Sequence, residues 1–294
     1  MITNPTRVDL AGTGGVDIAV YRWDPVGPPR AVVQITHGVG EHAQRYQPLV
    51  EDLLAAGYVV YGHDHRGHGN TAASAAEFGI LGEGGWAELV ADIGQVGERA
   101  KQDHPDLPLL LIAHSMGSFA TQQWLLDHSG DVAAVVLSGT GVLDLLEPAM
   151  DLDAPMDLSA FNAAFDPPRT DFDWLSRDDA QVDAYLADPW CGFGLDIAGG
   201  RDMFAGARQL ADPTRVGSMR KDLPVYVVVG DMDPVNGRLV LVDELVRRYR
   251  AAGMTEVTLV AYPGARHEVF NETNRDEVVA DMLGWLDRAV ATTR

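Results

Sequence analysis

Short apolar runs recur along the chain, at Ala31–Thr36, Tyr58–Tyr61, Leu109–Ala113, Val132–Ser138, Val225–Val229 and Val257–Ala261. Each predicts a parallel strand, because a strand buried on both faces reads as a continuous apolar run. Between them lie longer stretches with helical periodicity: Tyr46–Ala56, Trp86–Lys101, Ser118–His128, Val240–Ala252 and Asp276–Ala291. Strand and helix patterns that alternate in this way predict a doubly wound, mostly parallel sheet with crossover helices on both faces. Near the N-terminus, Thr6–Leu10 and Asp17–Trp23 flank the glycine-rich turn Gly12–Gly15 and predict an antiparallel hairpin added to one edge.

The rhythm breaks between Asp144 and Val216, where aspartates, prolines and bulky apolar residues mix without a strand-like run. This predicts a helical cap over 144–216, inserted into a core made of 1–143 and 217–294. Its larger apolar residues (Phe161, Phe165, Phe172, Trp174, Trp190, Phe193, Leu195, Phe204) could line a ligand pocket or simply hold small helices together. Trp190, Phe193 and Phe204 stand as candidate substrate contacts, with His37 and Gly38 in the core.

At 294 residues and 46% hydrophobic, the chain can bury a sizeable core. Lys and Arg number 22 against 43 Asp and Glu, a formal charge of −21. That field repels phosphate backbones and anionic surfaces, so nucleic acid is excluded as a natural partner. Cys191 is the single cysteine, which rules out an internal disulfide. Met1–Leu10 carries Asn4, Pro5, Arg7 and Asp9 where a signal peptide would need an apolar run, and no apolar stretch reaches about 18 residues. The expectation is a cytoplasmic protein whose membrane contact is at most transient, through the cap.

One segment changes this picture from architecture to chemistry. Strand Leu109–Ala113 runs into His114-Ser115-Met116-Gly117 and then a helix. A serine in such a sharp turn has strained backbone angles, needs small neighbours and points its hydroxyl toward the positive end of the helix that follows. A serine hydroxyl needs a base, and the base an orienting carboxylate. Strand Val225–Val229 is followed by Asp231 and Asp233, and strand Val257–Ala261 by His267. All lie just past carboxyl ends of predicted parallel strands, where open α/β sheets bind ligands. Asp231 follows the Gly230 turn and reads as an Asx-type turn residue, so Asp233 is the preferred acid. Backbone N–H groups of Met116 and of Val39, in the loop His37-Gly38-Val39-Gly40-Glu41-His42, are candidate oxyanion donors.

Four segments together resemble the monoacylglycerol lipase and lysophospholipase branch of the α/β-hydrolases. They are His37–His42 with Arg45-Tyr46, Asp64-His65-Arg66-Gly67-His68-Gly69, His114–Gly117, and Arg266-His267-Glu268-Val269-Phe270-Asn271-Glu272. Ala113 departs from the glycine usual in the nucleophile motif, and the cap is largely unmatched. The resemblance implies an eight-stranded α/β-hydrolase core under a helical lid and a Ser115–Asp233–His267 triad. It further implies oxyanion donors at Val39 and Met116, and cofactor-free hydrolysis of a monoacylglycerol-like or lysolipid ester, with a small carboxylic ester as alternative. A non-catalytic binding module on the same fold is the remaining reading.

The run His63-Asp64-His65-Arg66-Gly67-His68 invites a metal reading, but it has glycine where a further ligand is needed. The expectation is instead an Asp64–Arg66 ion pair beneath the site, with His65 and His68 in or near the surface. Cys191 follows Pro189-Trp190 in the cap with no strand-turn-helix context and reads as a small core residue. No metal or cofactor is called for.

Overall fold

The computed structural model describes residues 4–292; residues 1–3 and 293–294, assigned above to the ends of the core, lie outside the described residues. In chain order the strands are β1 (Thr6–Arg7), β2 (Leu10–Ala11), β3 (Asp17–Ile18), β4 (Val20–Trp23), β5 (Ala31–Thr36), β6 (Tyr58–His63), β7 (Leu109–His114), β8 (Ala134–Ser138), β9 (Val225–Gly230) and β10 (Val257–Tyr262). Among the described residues, one eight-stranded sheet runs β1-β4-β6-β5-β7-β8-β9-β10, while β2 and β3 pair separately. From β6 to β10 every pairing is parallel. This is the α/β-hydrolase architecture, and each apolar run picked out above forms one of its strands.

Alternate residues of these runs enter two different cores. Leu109, Leu111 and Ala113 of β7 join one buried cluster, and Leu110 and Ile112 the other. The first face is covered by α2 (Gly85–Asp103), α3 (Met116–His128) and α8 (Val240–Ala251), the second by α1 (Gln47–Ala55) and α9 (Arg275–Thr292). A period of two buried on both sides is why the strands read as unbroken apolar runs.

The N-terminal hairpin expected on the edge is divided. Ala19, inside the expected second strand, donates its N–H to Thr71 Oγ1 at 2.9 Å and its carbonyl accepts from Asp64 N–H at 2.9 Å. Its backbone is therefore diverted into the loop after β6. The flanking pieces part company: β4 pairs antiparallel with β6 and takes β1 on its free side, whereas β3 pairs with β2 off the sheet.

Between β8 and β9 lie α4 (Leu143–Leu146), α5 (Asp179–Ala187), α6 (Ile197–Ala207) and α7 (Pro213–Gly217), with 3-10 segments at Glu147–Ala149 and Leu158–Ala164 between α4 and α5 and at Arg208–Ala211 between α6 and α7. The aspartates that break the periodicity here cap these short helices. Asp178 accepts from Ala180 N–H, Asp196 from Gly199 N–H and Asp212 from Thr214 N–H. At 4 and 5 residues, α4 and α7 are too short for an amphipathic repeat to show. Among the described residues no helix is long and apolar enough to cross a membrane.

Candidate active site

The parallel register aligns the strand ends on one edge, pairing Thr36 with His63 and Ala113, His114 with Ser138, and Tyr262 with Gly230. Ser115 is the single residue between β7 and α3, with φ 49° and ψ −121°. Positive φ in a non-glycine residue costs about 1–3 kcal/mol and persists only where the surroundings impose it. Here Ser115 N–H donates to Ser138 O at 2.9 Å, and its own carbonyl accepts from Ser118 N–H and Oγ–H. A Cβ on Gly117 would sit 2.5 Å from the carbonyl oxygens of both Thr36 and His37, so only glycine lets α3 start this close to β5.

His267 follows β10. Its Nδ1 donates to Asp233 Oδ2 at 2.9 Å, and Asp233 Oδ1 accepts from Val235 N–H at 2.8 Å. Of the two aspartates weighed from sequence, Asp233 is fully buried against the imidazole, while Asp231 accepts from Gly264 N–H at 2.7 Å and closes the turn. Burial opposes the imidazolium, but the charge and hydrogen bond of Asp233, joined by Glu268 and Glu41, outweigh it and raise the His267 pKa above its ordinary value. Trp174, from the segment between β8 and β9, steadies this ring: His267 N–H donates to Trp174 O at 3.3 Å and the two rings lie 4.9 Å apart. Among the described residues no hydrogen bond joins Ser115 Oγ to His267; such contacts are commonly long without substrate and tighten when it binds. His114, 4.7 Å from His267 ring to ring, is pushed down to about 3 by burial and by His267, and stays neutral.

The loop after β5 is held by a buried charged network. Glu41 Oε1 accepts from Gly38 N–H at 2.6 Å and from Tyr46 O–H at 2.8 Å. Arg45 bridges Glu41 at 2.5 Å and both oxygens of Glu268 at 2.9 and 3.0 Å, tying this loop to the residue after His267. Burial acts against Glu268 ionising, yet Arg45 overrides it and brings its pKa to about 2. The network leaves the N–H groups of Val39 and Met116 without an acceptor among the described residues. Glu41, Arg45 and Glu268 stand in the matched motifs with no role legible from sequence, because Arg45 and Glu268 are 223 positions apart. The available clue was an acid and a base four apart beside a glycine-rich turn.

Above Ser115 lies a narrow apolar pocket of about 30 Å³ lined by Val39, Met116, Phe119, Trp174, Phe204 and Val235 among others. Leu146, Met150, Met156, Phe161 and Phe204 also line a cavity of about 650 Å³ walled by residues between β8 and β9 and by Pro234. The two spaces therefore share walls. Leu143, Met150 and Met156 were missed from sequence, since isolated aliphatics in an aperiodic segment carry no pattern.

Several expectations need correction. Phe204 lines the Ser115 pocket, and a Cβ on Gly38 would lie 3.1 Å from Ser115 Cβ. His37, Trp190 and Phe193 are not among its walls. Trp190 packs edge-on against His42, and Phe193 stacks on Phe78 at 4.7 Å and lies 5.0 Å from His68. His37 accepts from His65 N–H on Nε2 at 2.9 Å and donates from Nδ1 to Gly38 O at 2.7 Å. His65 and His68 are fully buried rather than superficial. Arg66 pairs with Asp92 at 2.6 Å, not with Asp64: both residues lie in the loop past β6, and the two Asp64 oxygens are already occupied. Asp64 instead accepts from Tyr21 O–H and from the N–H groups of Ala43 and Asn70. Cys191 is half-buried at the margin of the core rather than inside it.

Comparison with known proteins agrees with this architecture. The model of the Hydrolase_4 family, described as serine aminopeptidase S33, matches residues 27–274. Monoacylglycerol lipase of Mycolicibacterium smegmatis is 35% identical over 282 residues, 94% of this chain and 95% of its own. Human monoglyceride lipase is 27% identical over 293 residues, 96% of this chain and 91% of its own. Among solved structures, a lipase in an open form superposes with a TM-score of 0.79 at 27% identity over 97% of this chain and 99% of that one. A thermostable carboxyl esterase from Bacillus coagulans gives 0.85 at 24% over 98% and 99%, a likeness of fold. With a strained serine at the strand–helix junction, a buried Asp–His pair on the same edge and a family match over most of its length, the chain belongs to the serine aminopeptidase S33 family of α/β-hydrolases.

Proposed function

We propose that this protein is a serine ester hydrolase that cleaves a monoacylglycerol-like or lysolipid monoester, with Ser115 as nucleophile, His267 as base and Asp233 as its orienting acid. The observation that carries the reading is the buried His267–Asp233 pair beside a strained Ser115 that opens into an apolar pocket. Two relatives named as monoacylglycerol or monoglyceride lipases over nearly their full lengths support the substrate class.

In this mechanism His267 takes the Ser115 proton as Oγ attacks the ester carbonyl carbon. The Val39 and Met116 N–H groups hold the oxyanion, donors aimed where charge develops. The tetrahedral intermediate collapses, the C–O bond to the alcohol breaks, and His267 returns the proton to the leaving oxygen. Water then loses a proton to the same imidazole and attacks the acyl carbon; the bond from that carbon to Ser115 Oγ breaks, His267 returns the proton to Oγ, and the acid is released. Asp233 keeps Nδ1 protonated so that Nε2 is the basic atom throughout. The segment 144–216 acts as a cap, and its 650 Å³ cavity falls within the roughly 300–1,000 Å³ usual for small-molecule sites. Its aliphatic walls suit an acyl chain, and the overall charge of −21 favours a neutral over a phosphorylated head group.

The test is hydrolysis of p-nitrophenyl esters from acetate to palmitate and of a monoacylglycerol, by wild type and Ser115→Ala. We expect an optimum at long chains and a loss of kcat approaching about a millionfold in the variant, since triad members act as a unit. Retained activity in Ser115→Ala would overturn the nucleophile; an optimum at acetate would replace the lipid with a small ester.

A further inference from the structure

His42, Asp188 and Cys191 lie where the loop after β5 meets the segment after α5. Among the described residues they are the one group of three or more His, Cys, Asp or Glu side chains whose ligand atoms all lie within 4.8 Å of one another. His42 Nε2 lies 3.0 Å from Asp188 Oδ2. The imidazole is 7% exposed, and its second nitrogen, Nδ1, is buried with no hydrogen-bond partner among the described residues, so the protein satisfies only one end of this ring. Asp188 and Cys191 are half-buried, which leaves a path for a solvent ion. A local turn presents both: Cys191 N–H donates to Asp188 O at 3.1 Å, and Trp190 N–H donates to Asp188 Oδ1 at 2.9 Å.

We propose that His42, Asp188 and Cys191 form a binding site for a zinc-class divalent cation that clamps the α5–α6 segment onto the loop after β5. One imidazole nitrogen, one carboxylate oxygen and one thiolate are the donor set of a tetrahedral zinc site, which takes N, O and S ligands at about 2.0–2.3 Å. Hard cations such as Mg²⁺ and Ca²⁺ prefer oxygen alone, so the thiolate selects against them. Three protein ligands leave the fourth position to water. On binding, the thiol proton of Cys191 passes to solvent and His42 ligates in its neutral form. A thiolate and a carboxylate then balance the 2+ charge, and the nearby cation Arg45 is already paired with Glu41 and Glu268.

The consequence follows from place. His42 is three residues from Val39, and the same seam is joined where Gly192 N–H donates to Gly40 O at 3.0 Å and Tyr185 O–H to Gly40 O at 2.8 Å. A metal there adds a strong cross-link to this hydrogen-bonded contact, so it holds the segment after α5 against the loop after β5 and slows movement of a segment that, on the hydrolase reading, caps the Ser115 pocket. The site itself stands independently of the hydrolase reading; its effect on turnover rests on that reading.

The experiment is calorimetric titration of the full chain with zinc sulfate, with Tm measured in parallel, for wild type, Cys191→Ser and Asp188→Asn. Both substitutions keep side-chain size at half-exposed positions. We expect one zinc per wild-type chain, a Tm that rises with zinc, and at least tenfold weaker binding in each variant. Magnesium at the same concentration should leave Tm unchanged. Absence of binding up to millimolar zinc, or equal binding by wild type and both variants, would overturn the site. Ester hydrolysis is then followed with and without zinc: slowing in wild type but not in Cys191→Ser supports the clamp, and zinc binding with unchanged turnover overturns it. A chain that hydrolyses no ester still reports on the site through the titration, so the two proposals fail separately.

Discussion

At the scale of single residues, the site depends on groups whose protonation and shape are set by what touches them. In its proposed role as base His267 must be neutral, and its pKa is raised, so kcat/KM should fall on the acid side with an apparent pKa above about 6.5. Asp233→Asn removes the charge that opposes burial. We expect kcat about 10⁴-fold lower and an acid limb moved to lower pH, read from a pH–rate profile; an unmoved limb would show that another group titrates. Gly117→Ala asks a methyl to share space with two backbone oxygens, which no rotamer can relieve. An overpacking cost of about 1–3 kcal/mol is expected in urea unfolding, with loss of activity as α3 and Ser115 shift.

At the scale of elements, Arg45 joins pieces that are far apart in sequence. It bridges the loop after β5 to the residue after His267 and lies 4.7 Å over the ring of Tyr185 on α5. Arg45→Met would leave Glu41 and Glu268 buried as like charges without their counter-ion. Removing one partner of a buried ion pair typically costs about 3–5 kcal/mol, and the variant's Tm should fall accordingly. Turnover should fall further than Tm alone explains, because the Gly38–Val39 backbone loses its anchor. A Tm within error of wild type would mean that solvent reaches this network.

At the scale of the whole molecule, the packing of one strand-end edge controls the response to acid. His37, His63, His65, His68 and His114 are depressed by burial first, His63 and His68 to about 4, and are carried neutral. The unfolded chain takes up these protons as pH drops below about 6.5, the folded chain only near or below 4. The unfolded state therefore binds more protons across that window, and folding stability falls as pH falls through it, by up to about 1.4 kcal/mol per pH unit for each group. His267 works in the opposite sense: its raised pKa contributes stability that is complete below its unfolded value and lost as pH rises through the folded one. The buried set outnumbers it. Calorimetric Tm should hold between pH 7 and 8 and drop steeply toward pH 4; a flat profile down to pH 5 would contradict this.

By itself the sequence determined the order of strands and helices, and with it the edge on which Ser115, Asp233 and His267 stand. It could do so because a strand buried on both faces needs a continuous apolar run, and because a strained strand-to-helix turn admits so few residue types. The tertiary structure alone decided which charges and rings meet. Arg66 chose Asp92 over Asp64, the run from His63 to His68 went inside, Trp190 packed on His42 and Phe193 on Phe78, and Ala19 divided the N-terminal strand. Each outcome turns on partners tens of residues distant, whose approach depends on sheet register and on how the segment between β8 and β9 packs. That segment mixes short helices with irregular stretches, so its walls become visible only once they are folded together.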